Sequence, residues 1–128
     1  MLSKKNKWKY AKFSRTLISH KKIEKIKNKK DVILYDTRVK DSYEKGHIKN
    51  SIHVSALKIR KEIMKQNKKA KIILLGNEER SNASVASWAR FHGFKRIKLL
   101  KGGMNKIDKK HLFIKPKTSK ETNVNKDS

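Results

Sequence analysis

Two short runs, Val32-Ile33-Leu34-Tyr35 and Ile72-Ile73-Leu74-Leu75, limit what this chain can fold into more than any other feature. A strand buried on one face alternates apolar and polar residues, whereas an unbroken run of β-formers needs cover on both faces, as in a parallel sheet. Parallel neighbours need crossover connections, and the intervening stretches can supply helices. Ile23 and Ile26 stand i, i+3 in a lysine-rich stretch over 20–29. Residues 41–45 predict a helical turn closed by Gly46. Residues 56–66 carry Leu57, Ile59 and Ile63, and residues 81–92 offer Val85, Ala86, Trp88 and Ala89 before Gly93. Leu17-Ile18-Ser19 and residues 48–54 and 96–100 are the remaining strand candidates, and the Gly102-Gly103 pair predicts backbone with positive φ. The expected fold is α/β: a central, mostly parallel sheet of about five short strands, flanked by helices on both faces.

Charge divides the chain. Its 128 residues hold 36 Lys and Arg against 11 Asp and Glu, a net charge of +25. Residues 1–30 contribute +11, 58–71 contribute +6 and 95–128 contribute +8, while 31–57 and 72–94 are each neutral. The expected organisation is a basic aromatic arm over 1–15, a folded domain over 16–107 and a basic tail over 108–128. That tail reads as disordered from about Lys109. No apolar run approaches the ~18 residues of a membrane span, and the basic N-terminus lacks the apolar stretch of a secretory signal. The chain has no cysteine. That excludes disulfides, thiolate metal sites and a cysteine nucleophile. The histidines show no ligand spacing, so no metal and no cofactor is expected.

The order of landmarks resembles the rhodanese-like domain family. Val32 to Arg38 is similar to its strand followed by Asp-x-Arg, and Tyr43-Glu44-Lys45-Gly46-His47-Ile48 to its Glu-Tyr-x-x-Gly-His-Ile motif. Ile52-His53-Val54-Ser55, Arg80-Ser81, Gly93-Phe94 and Leu100-Lys101-Gly102-Gly103-Met104 match the later strand, the helix start, the helix end and the closing glycine pair. Active members carry a cysteine after the central strand, in a loop whose backbone N–H groups face a persulfide or substrate anion. Gly76 takes that position when counted from the strand or back from Gly93, and Leu75 when counted back from Arg80-Ser81. Neither carries a nucleophile. Glu78 or Glu79 replaces the loop glycine, and carboxylates there oppose thiosulfate or phosphate. The resemblance implies structural roles for Asp36, Arg38, Gly46, His47, Arg80, Gly102 and Gly103, with Arg38 pairing an acid such as Glu44.

With the nucleophile absent, the excess charge predicts a polyanion partner. The expectation is a non-catalytic rhodanese-like protein, a pseudoenzyme rather than an enzyme, that binds structured rRNA as a ribosomal ribonucleoprotein component of translation. The expected contacts are Lys4, Lys5, Lys7, Trp8, Lys9, Tyr10, Lys12, Phe13 and Arg15 in the arm. Lys58, Arg60, Lys61, Lys65, Lys68 and Lys69 form a second group, and Lys109, Lys110, Lys115 and Lys117 a third. Ribosomal proteins are further expected partners, with no membrane and no small-molecule substrate. The expected compartment is the cytoplasm, or an organelle matrix. Two alternatives stand beside this: a regulatory module that binds an acidic protein, and a sulfurtransferase acting by an unusual route.

Overall fold

A computed structural model describes residues 15–114. Strands β1 (Leu17–Ile18), β2 (Val32–Asp36), β3 (Ile52–His53), β4 (Lys71–Leu75) and β5 (Lys98–Leu100) form one sheet in the order β1-β5-β4-β2-β3. All pairings between these strands are parallel. Helices α1 (His20–Ile26), α2 (Lys40–Lys45), α3 (Ile59–Met64) and α4 (Ala83–Phe91) lie between them in sequence. This is the α/β architecture expected from the two apolar runs.

Those runs are unbroken because each strand feeds two cores. On β4, Ile72 and Leu74 pack with Ile59 and Ile63 of α3 and with Val85, Ala86 and Ala89 of α4. Ile73 and Leu75 point the other way, to Ile23 and Ile26 of α1 and to Ile48 and Met104. Each fully buried Ile or Leu contributes roughly 1.5–3 kcal/mol by leaving water. Helix α1 starts where expected because Ser19 Oγ accepts the Lys22 N–H at 3.1 Å, satisfying a donor at the helix start.

Several elements are shorter than their sequence patterns: α1 stops at Ile26 and β5 starts at Lys98. The helix expected over 56–66 covers Ile59–Met64, and Leu57 is left exposed. The helix expected over 81–92 begins at Ala83, since residues 76–82 are used by the loop described below. Of residues 48–54 only Ile52–His53 is strand; Ile48 is a buried core residue and Asn50 has φ +78°.

The tail also begins differently from expectation. Lys109–His111 form a 3-10 turn, capped by Asp108 Oδ1 accepting the Lys110 N–H. Phe113 then pairs antiparallel with His47, through N–H···O bonds of 2.7 and 3.0 Å. Leu112 packs on the α1-side core and lies against Gly46. The chain is therefore held by the fold through Phe113, past the point where its lysine content suggested release.

Candidate functional site

The site lies at the C-terminal ends of β2 and β4, where ligands of open α/β sheets bind. The register pairs Asp36 with Leu75, so the two strands end together. Leu75 is the last residue of β4; its side chain is wholly buried in the α1-side core and its carbonyl accepts the Thr37 N–H at 3.0 Å. Gly76 is the first residue beyond the strand.

From Gly76 the chain does not open into a cradle. Met104 N–H donates to Gly76 O at 2.8 Å, and Asn105 N–H to Asn77 O at 2.9 Å. Glu79 reaches across to accept the Gly102 N–H at 2.9 Å. The Glu78 N–H donates to Ser81 Oγ at 2.9 Å, inside the loop itself. A Cβ on Gly76 would overlap Ser81 Cβ and stand 3.0 Å from Asn82 Nδ2. Gly103, at φ +70°, would bring a Cβ within 2.5 Å of Asn77 O. The loop is closed on both sides; Gly103 is needed because the backbones touch, and Gly102 because its φ is +79°.

Asn82 is buried and turned away from its helix. Its Nδ2 donates to Thr37 Oγ1 at 2.8 Å, joining the end of β2 to the start of α4. Sequence reasoning singled out neither Thr37 nor Asn82, nor the hydroxyl of Ser81. Small polar residues carry no periodic signal, and the Thr37–Asn82 contact spans 45 positions.

Asp36 and Arg38 do come together, but as a closed pair. The Asp36 carboxylate is fully buried and accepts the Arg38 backbone N–H at 3.0 Å, Nε at 3.0 and 3.1 Å and NH2 at 2.7 Å. Arg38 NH2 also donates to Gly46 O at 2.7 Å. The expected pairing of Arg38 with Glu44 is corrected: Asp36, two residues away, presents both carboxylate oxygens to the guanidinium fork. His47 stacks on Tyr43 at 3.8 Å and hydrogen-bonds its carbonyl at 2.7 Å through Nδ1. The Tyr43 hydroxyl donates to Ser51 O at 2.7 Å, and burial pushes its pKa up. These polar groups are spent on holding loops. Arg80 is exposed on the turn before α4.

Some of the described basic residues are engaged within the fold and others are exposed. Arg60 lies over the Trp88 ring at 5.6 Å, Lys68 over Phe94 at 5.8 Å, and Lys65 pairs with Glu62 at 2.9 Å. Lys58, Lys61 and Lys69 are exposed around α3, and Arg15, Lys109 and Lys110 are exposed elsewhere. Lys4, Lys5, Lys7, Trp8, Lys9, Tyr10, Lys12, Phe13, Lys115 and Lys117 lie outside the described residues. Among the described residues, no group of three His, Cys, Asp or Glu stands together to hold a metal ion, and no helix is long and apolar enough to cross a membrane.

Comparison with known proteins gives one consistent result. The rhodanese-like domain model matches residues 19–110. A thiosulfate sulfurtransferase, GlpE of Coxiella burnetii, is 34% identical over 86 residues, which are 67% of this chain and 80% of that protein. A rhodanese-like domain protein from Staphylococcus aureus superposes with a TM-score of 0.64 at 20% identity, covering 79% of this chain and 99% of the other. A human single-domain sulfurtransferase gives 0.61 at 10% identity, over 70% and 92% of the two chains.

These findings correct the reading drawn from charge. The expectation of a ribosomal, rRNA-binding protein of translation is overturned, because the similar proteins are sulfurtransferases and rhodanese-like domains. The expectation of a protein apart from enzymes falls with it, since the 34% identical relative is named as an enzyme. Lysine content misled because charge alone does not choose among partners, and several of the lysines and arginines are engaged by the fold itself.

Proposed function

The chain belongs to the rhodanese-like domain family, and we propose that it takes part in sulfur transfer by binding the proteins that carry the sulfur. The family's route through a cysteine persulfide is inactive on this chain. We assign Gly76 to the nucleophile position, because Leu75 is a wholly buried strand residue and Gly76 opens the loop. The observation that carries the reading is the closure of that loop: Gly76 leaves no room for a Cβ, and Glu79 and Ser81 take backbone N–H groups of the glycine pair and of the loop.

A sulfur atom must therefore stay on its donor until an acceptor arrives. The acceptor thiolate attacks the terminal sulfur of the donor's persulfide; a new S–S bond forms, the old one breaks, and the donor leaves as a thiolate. The chain supplies position rather than a covalent stop. A protein persulfide suits this better than free thiosulfate, whose dianion would meet Glu78 and Glu79 at the loop mouth.

The test is capture by the immobilised chain from lysate, followed by persulfide-specific labelling of what binds. The bound proteins are expected to be enriched in persulfide label over a bare-resin control. Equal labelling in both would overturn the reading.

A further inference from the structure

The N-terminal ends of the strands, at the opposite end of the sheet from the closed loop, gather positive charge from several elements. Ile73 of β4 points to α1, and period-two alternation puts Lys71 on the same face. The register sets Lys98 of β5 beside Ile73, so it shares that face as well. The two lysines stand about 8 Å apart between Cα atoms, two residues along the strand and one strand across. Both are half-buried. Lys98 Nζ donates to Arg15 O at 2.7 Å, one of its three N–H donors. Arg96 is fixed nearby, with NH1 donating to Asp31 Oδ2 and to Lys69 O at 2.8 Å each. The Lys71 N–H donates to Asp31 O at 2.7 Å and the Val32 N–H to Lys29 O at 3.1 Å, which ties the segment before β2 to the same end. Burial pushes both lysines below the usual lysine value, and neighbouring cations add to it: Arg96, Lys22 of α1 and Lys29 act on Lys71, and Lys71 and Arg90 on Lys98.

We propose that Lys71 and Lys98, with Lys22, Lys29 and Arg96 around them, form a site for a compact multivalent oxyanion of the pyrophosphate kind. An ammonium is a point charge on a flexible stem with rotatable donors, so the two strand lysines can close on one anion from either side. An anion there exchanges mutual repulsion for charge-assisted hydrogen bonds. More than one negative charge is needed, because a single charge leaves most of the repulsion among these cations in place. Asp31 is the carboxylate within this group, and Arg96 engages it at 2.8 Å. Lys71 and Lys98 are half-buried strand residues rather than tips of an open surface, which suits a small anion better than a long one. The inference goes beyond the sulfur-transfer reading and shares no residue with it.

The experiment is calorimetric titration of the full chain with inorganic pyrophosphate at about 0.15 M salt, where charges beyond ~8 Å are screened. A saturating phase is expected, with orthophosphate weaker by about fivefold or more. Lys71→Met and Lys98→Met each remove a charge and keep an apolar stem, and each is expected to weaken binding by about fivefold or more. An unchanged or raised thermal midpoint confirms that these variants fold. Lys71→Arg, which keeps the charge, should stay within about threefold of the parent. Lys40→Met, on α2 beyond the far end of β2, should stay within about twofold. Equal weakening by Lys40→Met would overturn the proposal in favour of diffuse attraction by the net charge. Heat that never saturates, or pyrophosphate bound no better than orthophosphate, would overturn it too.

Discussion

At Gly76 the smallest side chain is a steric requirement of the closed loop, because a Cβ there overlaps Ser81 Cβ. Restoring a thiol is therefore not a simple reversal. Gly76→Cys is expected to cost about 1–3 kcal/mol, the range for overpacking a filled site, and urea unfolding measures it. Adding Ser81→Gly, which removes the obstructing atom, should recover at least half of that loss; a double variant no more stable than the single would contradict the steric account. The choice between Leu75 and Gly76 was not legible in the sequence, since neither residue resembles a cysteine. The pairing of Asp36 with Leu75, which ends the strand there, is what supports the proposed choice of Gly76. Separate structural roles were expected for Asp36 and Arg38, and their pairing with each other was not legible. A two-residue spacing does not reveal that the guanidinium folds back onto the carboxylate.

Among the elements, β2 and β4 were plain in the sequence because strands buried on both faces leave an unbroken apolar run. The short elements were blurred: two-residue strands such as Ile52–His53 carry too few positions for a period, and the Phe113–His47 pairing joins segments far apart. The docking of α3 on the sheet includes a polar tie. Gln66 Nε2, just beyond the helix, donates to the Tyr35 hydroxyl on β2 at 2.8 Å. Burial raises the Tyr35 pKa above the ordinary 10.0, against the pull of that bond. A raised folded-state value means that the neutral phenol's contribution is complete below about pH 10 and is lost as pH climbs through the folded value. Tyr35→Phe should be the less stable protein at pH 8, by about 1 kcal/mol for the lost hydrogen bond. Its gap to the parent should narrow as pH rises past 10, in denaturant titrations at each pH. A gap that widens there would contradict the assignment.

On the scale of the whole molecule, +25 charges on 128 residues repel one another in the folded state. Lys71 and Lys98, at the starts of neighbouring strands, register this: burial and then nearby cations push both below the usual lysine value. The thermal midpoint should rise by several degrees between about 0.01 and 0.15 M salt, as the screening length falls from ~30 to ~8 Å; a flat or falling midpoint would contradict it. The charge was fully legible in the sequence, and its meaning was not. Composition pointed to rRNA, whereas the motifs and relatives point to sulfur transfer. The central claim is that sulfur never resides on this chain, and the most direct test is intact-mass measurement with sulfite assay after incubation with thiosulfate and no acceptor. The account predicts an unchanged mass and no sulfite above buffer; one added sulfur per chain, with matching sulfite release, would contradict it.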